Sequence, residues 1–255
     1  MTAVAAARPA RVRKAAPGGL QLSLLNGFEL AHDGARIALP MSAQRLVAFL
    51  SLHRRPALRS FVAGTLWLET SEERAHANLR STLWRLHRCD KGLVEVRGQQ
   101  LVLGGDVHVD LLETELLARR AIDNHAHAVL EPGLFTDELL PDWYDDWVLI
   151  EREHFRQLRL RALDAICGRL IHAGRLGEAL EAGLAALAGE PLRESAHRAL
   201  VRVHLAEGNV GEAVRQYDLC RRLLRDQLGV EPSEQMEVLL EAVTGRRGVP
   251  GRPRT

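Results

Sequence analysis

The sequence predicts a mainly α protein with a small β part, in two unlike halves. Three observations carry this. Aliphatic residues are plentiful while aromatics make up only 4% of the 255 residues. The β-type alternation and turn signals are confined to residues 20–39 and 92–103. From Asp110 onward the apolar spacing is helical throughout, and a seven-residue pattern recurs, "GRLGEAL" at 174–180 and "GNVGEAV" at 208–214, 34 positions apart.

The first half is read element by element. Residues 20–39 form short strands turned at Asp33-Gly34, and Pro40 closes the sheet. Ser42 is placed to cap a helix through Leu52 with Leu46, Phe49 and Leu50 inward. Ser60 is placed to cap a second, with Phe61, Leu66 and Trp67 inward. Ser71 caps a third, because Glu72 and Glu73 lie in its first turn, where the helix dipole favours acids. After Asp90-Lys91-Gly92, "LVEV" and "LVL" flank Arg97-Gly98-Gln99-Gln100 as a hairpin. Sheet, three helices and hairpin, over residues 20–105, resemble the winged helix-turn-helix DNA-binding domain of the OmpR type.

The third helix is the candidate interface. "RAHANLRSTLWRLHR", residues 74–88, carries four arginines. At about 100° per residue, with Leu79 at zero, Leu83 falls near 40° and Leu86 near 340°, the expected buried side. Arg74, Ser81 and Arg88 face away, Arg85 and Asn78 flank them, and Thr82 sits nearer the core. Arginine grips guanine O6 and N7, asparagine pairs with adenine, and hydroxyls reach bases or phosphates. On this helix alone, DNA contact and a solvated charged face both remain open; the sheet before it and the hairpin after it favour DNA. Arg97-Gly98 is the candidate wing tip, or an ordinary exposed turn. Arg45, Arg59 and Ser60, near helix starts, are candidate phosphate contacts.

In the second half the 34-residue helix-pair period resembles the tetratricopeptide repeat. Its small-residue positions fall on Ala179 and Ala213 and its closing proline on Pro191; in the second repeat Pro232 comes seven residues late, which predicts about two extra helical turns. Cys167 and Val201 stand where glycine is usual. The stretch from "RQLRLRALDAICGRL" to "LLRDQLGVEPS", after a winged helix, resembles the actinobacterial antibiotic regulatory proteins, the SARP family, with their bacterial transcriptional activation domain. The resemblance covers nearly all of residues 20–245. It divides the chain into a basic tail read as disordered (1–19), an OmpR-like domain (20–108), the activation domain (109–245) and a second disordered tail (246–255). It implies a non-enzymatic activator without cofactor or metal, bound as protomer pairs to directly repeated sites in double-stranded promoter DNA, meeting the RNA polymerase holoenzyme and switching on biosynthetic genes for secondary metabolites. It makes Arg85 an expected DNA contact. Trp84 stands where a small polar or basic residue is usual, and either packs under the wing or touches a sugar or thymine methyl. Large members carry a further ATPase module; the chain is expected to be a short, stand-alone member.

Charge supports two halves with different partners. Residues 1–110 hold 15 Lys/Arg and 9 Asp/Glu, and residues 111–255 hold 19 and 24, so a net +6 meets a net −5. The three cysteines have no zinc spacing, which with the missing apolar run and leader implies a reduced, cytoplasmic, nucleoid-associated protein. His125-x-His127 and His197…His204 lack partners for a metal. "PDWYDDW", 141–147, reads as an aromatic plug docking the helical domain in preference to a carboxylate site. Tyr217 is a core residue or lines a peptide groove. The alternative function is a helical-repeat adaptor that does not recognise DNA sequence.

Overall fold

The computed structural model describes residues 19–89, 92–123 and 131–244. The chain divides into two compact units. One holds the residues up to Glu113 together with Asp137–Glu153; the other holds Thr114–Thr136 and the chain from His154 on.

The first unit opens with strands β1 (Leu20–Ser23), β2 (Glu29–His32) and β3 (Ala35–Arg36), paired antiparallel with Leu22 opposite Leu30. Asp33 and Gly34 both take positive φ, 51° and 80°, the mirror-image turn that an Asp-Gly pair tolerates and a twisted hairpin needs. Helix α1 spans Met41–His53, with Leu46, Phe49 and Leu50 buried as expected. Its N-cap is Pro40, whose carbonyl receives the Ala43 and Gln44 amides, so Ser42 is not the cap. Strand β4 (Ala57–Leu58) leads directly into α2 (Arg59–Leu66), which has no side-chain cap; Ser60 already lies inside the helix. Of its expected core residues Leu66 is buried and Phe61 is about half exposed, its ring tilted against Phe49 and His53.

Helix α3 spans Glu72–Cys89, and Ser71 does begin it: its carbonyl takes the Ala75 amide and its Oγ the Arg74 amide. Strands β5 (Val94–Arg97) and β6 (Gln100–Leu103) form the expected hairpin, and β4 pairs with β6, giving the order β4-β6-β5. Gly104 follows; a Cβ there would lie 1.8 Å from the Gly92 carbonyl oxygen, so the close backbone approach requires glycine. Strand β7 (Val107–Val109) then joins β1 in parallel and completes a sheet of order β3-β2-β1-β7.

Helix α4 (Asp110–Ile122) starts on a carboxylate that closes the unit. Asp110 accepts the amides of Leu24 (2.9 Å), Leu25 (3.2 Å) and Leu111 (2.7 Å). Residues 137–153 return to the same unit. The Asn26 amide donates to the Glu138 carbonyl, and Arg152 donates to the carbonyls of Leu139, Leu140 and Trp143. Trp143 stacks on Phe28 at 6.0 Å and Trp147 meets Phe49 edge-on at 5.4 Å. The two tryptophans thus pack within the first unit, on its own rings, and not as the expected plug docking the helical domain; Tyr144 stays exposed.

The second unit contains a single turn at Pro132–Phe135 and, beyond α5 (Asp146–His172), helices α6 (Leu176–Gly189), α7 (Glu194–Ala206), α8 (Val210–Leu228) and α9 (Glu234–Thr244). The repeat is literal in the backbone. Gly174 and Gly208 take φ of 70° and 76°, and Ala179 and Ala213 have no exposed surface. Gly183 serves the same purpose: a Cβ there would be 2.6 Å from a Leu200 methyl. The late Pro232 lengthens α8 to 19 residues against 14 in α6, closer to one and a half turns than two, because the loop after Gly229 takes up the rest. Cys167 and Val201 fill the expected glycine positions as buried apolar groups, and Tyr217 is core, its hydroxyl donating to Glu237.

Candidate nucleic-acid interface

Helix α3 presents the face on which the function turns. Its buried stripe is Ala75, Leu79, Thr82 and Leu86. On the same wheel that stripe centres near 330°, about 40° from the position expected from the leucines. Both α1 and α2 pack on α3, which carries the buried sector across to Thr82. Thr82, 2% exposed, is therefore corrected from candidate contact to core residue, and Leu83 turns toward the hairpin.

The outward face holds Arg74, Arg80, Ser81, Trp84, Arg85 and Arg88, all exposed, with Asn78 half-buried at its edge. Arg80 belongs to this face and was legible in the quoted stretch, but the leucine-centred wheel set it aside. Trp84 is 61% exposed and points directly away from the buried stripe, so it does not lie under the wing. The Arg88 guanidinium carbon sits 4.8 Å from the centroid of its ring, a cation–π contact. Beside Trp84 opens an apolar slot of about 250 Å³ between α3 and the hairpin, lined by Arg59, Leu83, Trp84, Leu86, His87, Val94 and Val96.

At the hairpin tip Gly98 takes φ of 61°, which a two-residue turn requires. Arg97 is not simply presented to solvent: it donates to Glu95 through Nε (3.1 Å) and Nη2 (2.8 Å), and Glu95 also accepts the Gly105 amide. The Arg97 hydrogen bonds hold the Glu95 carboxyl below the usual carboxylate range. Arg45 is corrected from phosphate contact to structural residue, because it is one-quarter exposed and paired with Asp145. That pair also engages Asp145, one of the three aspartates of "PDWYDDW", in the fold. Arg59 keeps its side chain at the slot while its amide donates to the Gln99 carbonyl (2.9 Å), and Ser60 is exposed.

Elsewhere the ionisable groups serve the fold. His197 is buried between the Pro191 carbonyl (2.9 Å from Nε2) and Gln216 (2.7 Å from Nδ1), and desolvation lowers its pKa. Burial pushes the thiols of Cys167 and Cys220 up to about 11. His125 and His127 lie outside the described residues, among which no group of three metal-ligating side chains assembles.

The bacterial transcriptional activator domain family matches residues 109–244. The chain belongs to that family, as a SARP-type regulator. It is 29% identical over 240 residues to regulatory protein AfsR of Streptomyces coelicolor and 25% over 228 residues to regulatory protein AfsR of Streptomyces griseus. Those alignments cover 89% and 85% of the chain but 24% and 23% of the relatives, so the SARP-type chain spans about a quarter of their length. Its fold matches that of Mycobacterium tuberculosis EmbR, solved in complex with a low-affinity phosphopeptide, at a TM-score of 0.72 and 18% identity, covering 90% of the chain and 66% of EmbR. The OmpR-like winged helix followed by a helical domain is thereby shown. The family is one of transcription regulators.

Proposed function

We propose that the chain is a sequence-specific DNA-binding transcriptional activator acting in the cytoplasm at the nucleoid. One observation carries this: α3 sets Arg74, Arg80, Ser81, Arg85 and Arg88 opposite a buried apolar stripe, within a sheet–helices–hairpin order. That helix lies in the major groove, where Arg85 and Arg88 are placed for guanine and Asn78 and Ser81 for neighbouring base edges or phosphates. Arg74 and Arg59 hold the phosphate backbone, and the hairpin tip at Arg97-Gly98 approaches the adjacent minor groove. The adaptor alternative gives no reason for this arginine face.

The net-acidic second half supports a protein partner, proposed as RNA polymerase holoenzyme and a second protomer on a direct repeat, at promoters of biosynthetic genes. No described helix is long and apolar enough to cross a membrane. The test is selection of binding sites from random duplex by the full chain, then affinity of Arg85→Ala on single-base variants. An enriched site whose preference relaxes at one position supports the reading; no enrichment at low salt overturns it.

A further inference from the structure

An indole that is 61% exposed, at the centre of a face otherwise made of arginine and serine, demands a reason. Large apolar groups left in solvent mark contact sites. On its hairpin side Trp84 borders Leu83, Leu86, Val94 and Val96, while its outward side is flanked by Arg80, Arg85 and Arg88. That cationic flank favours an apolar group carried by a polyanion. The major groove offers one such group, the thymine 5-methyl. Arg88, 4.8 Å from the ring centroid, keeps a cation against the face of the indole. The slot of about 250 Å³ lies beside the ring, between it and the hairpin.

We infer that Trp84 is a specificity-determining residue that reads a thymine 5-methyl group in the major groove, with Arg88 as the residue that positions its ring. The inference rests on the proposal that α3 binds DNA, and it adds which chemical group is read and by which side chain. Trp84 covers the methyl with its ring edge, so exchanging thymine for deoxyuridine at that position removes the contact without altering base pairing.

The experiment uses the full-length chain and a site selected from random duplex, with each thymine replaced in turn by deoxyuridine. The wild-type protein is expected to lose about fourfold in affinity at one position, the value for burying one carbon group. Trp84→Ala should bind thymine and deoxyuridine equally there, with unchanged melting because the side chain is exposed. Arg88→Ala should reduce the discrimination and Arg88→Lys should restore it. Wild-type indifference at every thymine, or undiminished discrimination in Trp84→Ala, overturns the inference while leaving DNA binding intact. Full discrimination in Arg88→Ala overturns the positioning role. If selection enriches no sequence at all, the DNA-binding reading itself falls, and the inference with it.

Discussion

Glu95 decides how much of Arg97 a nucleic acid can use. The pair sets a carboxylate against the wing charge. Glu95→Gln is expected to raise affinity for random and cognate DNA alike by a few-fold, with a steeper dependence on salt, because one more cation then displaces counterions from phosphate. Gel-shift titration at two salt concentrations checks this; an unchanged slope argues against a wing contact. Arg85 behaves differently. Its substitution by alanine should cost about 1–3 kcal/mol on the cognate site and little on random DNA. His197 carries a pH dependence. Burial lowers its pKa from the ordinary 6.5, so the unfolded chain binds the proton more readily than the folded one. Stability is therefore fully present above about pH 6.5 and declines as pH falls below it. Melting scans between pH 7.5 and 5.5 should show this decline, flattened in His197→Gln.

Among the elements, α3 and α8 show how packing edits a pattern. The leucines of α3 announced an amphipathic helix, but which threonine joins the core depends on α1 and α2 lying against it, and no spacing within α3 records that. In α8, by contrast, the repeat motif located Ala213 at a crossing without any structure, since a helix pair can approach closely only over a small side chain. Ala213→Leu is expected to cost about 1–3 kcal/mol through overpacking against Val201, Tyr217 and their neighbours. Melting temperature and reporter transcription should both fall, while a selected DNA site is still bound at low temperature. Wild-type melting would place Ala213 outside the crossing.

For the whole molecule, the matched family begins at residue 109, yet the first compact unit includes residues up to Glu113 and 137–153. A chain cut after residue 108 loses Asp110, the acceptor of the Leu24 and Leu25 amides that the fragment keeps, as well as Trp143, Trp147 and the partner of Arg45. Each buried amide left unsatisfied costs about 1–3 kcal/mol. Such a fragment is expected to melt cooperatively only at much lower temperature than a chain that keeps residues through 153, and to bind DNA in proportion to its folded fraction. Circular dichroism with parallel gel shifts on both fragments checks it; equal melting would show that the returning segment adds nothing.

The sequence by itself determined the sheet, three-helix and hairpin order without β4 and β7, the Asp33-Gly34 turn, the wing, the repeat register and the arginine-bearing helix. Each follows from local rules: turn residues and periodicity. It also determined which family the chain resembles. Only the tertiary structure decided that β7 pairs with β1 and β4 with β6, that Thr82 is core and Trp84 outermost, and that Arg45 already has a carboxylate partner. These depend on residues as far as 100 positions apart in sequence meeting in space. Local periodicity is blind to them, because the energy that fixes a side chain's face or partner comes from whatever neighbouring element arrives beside it.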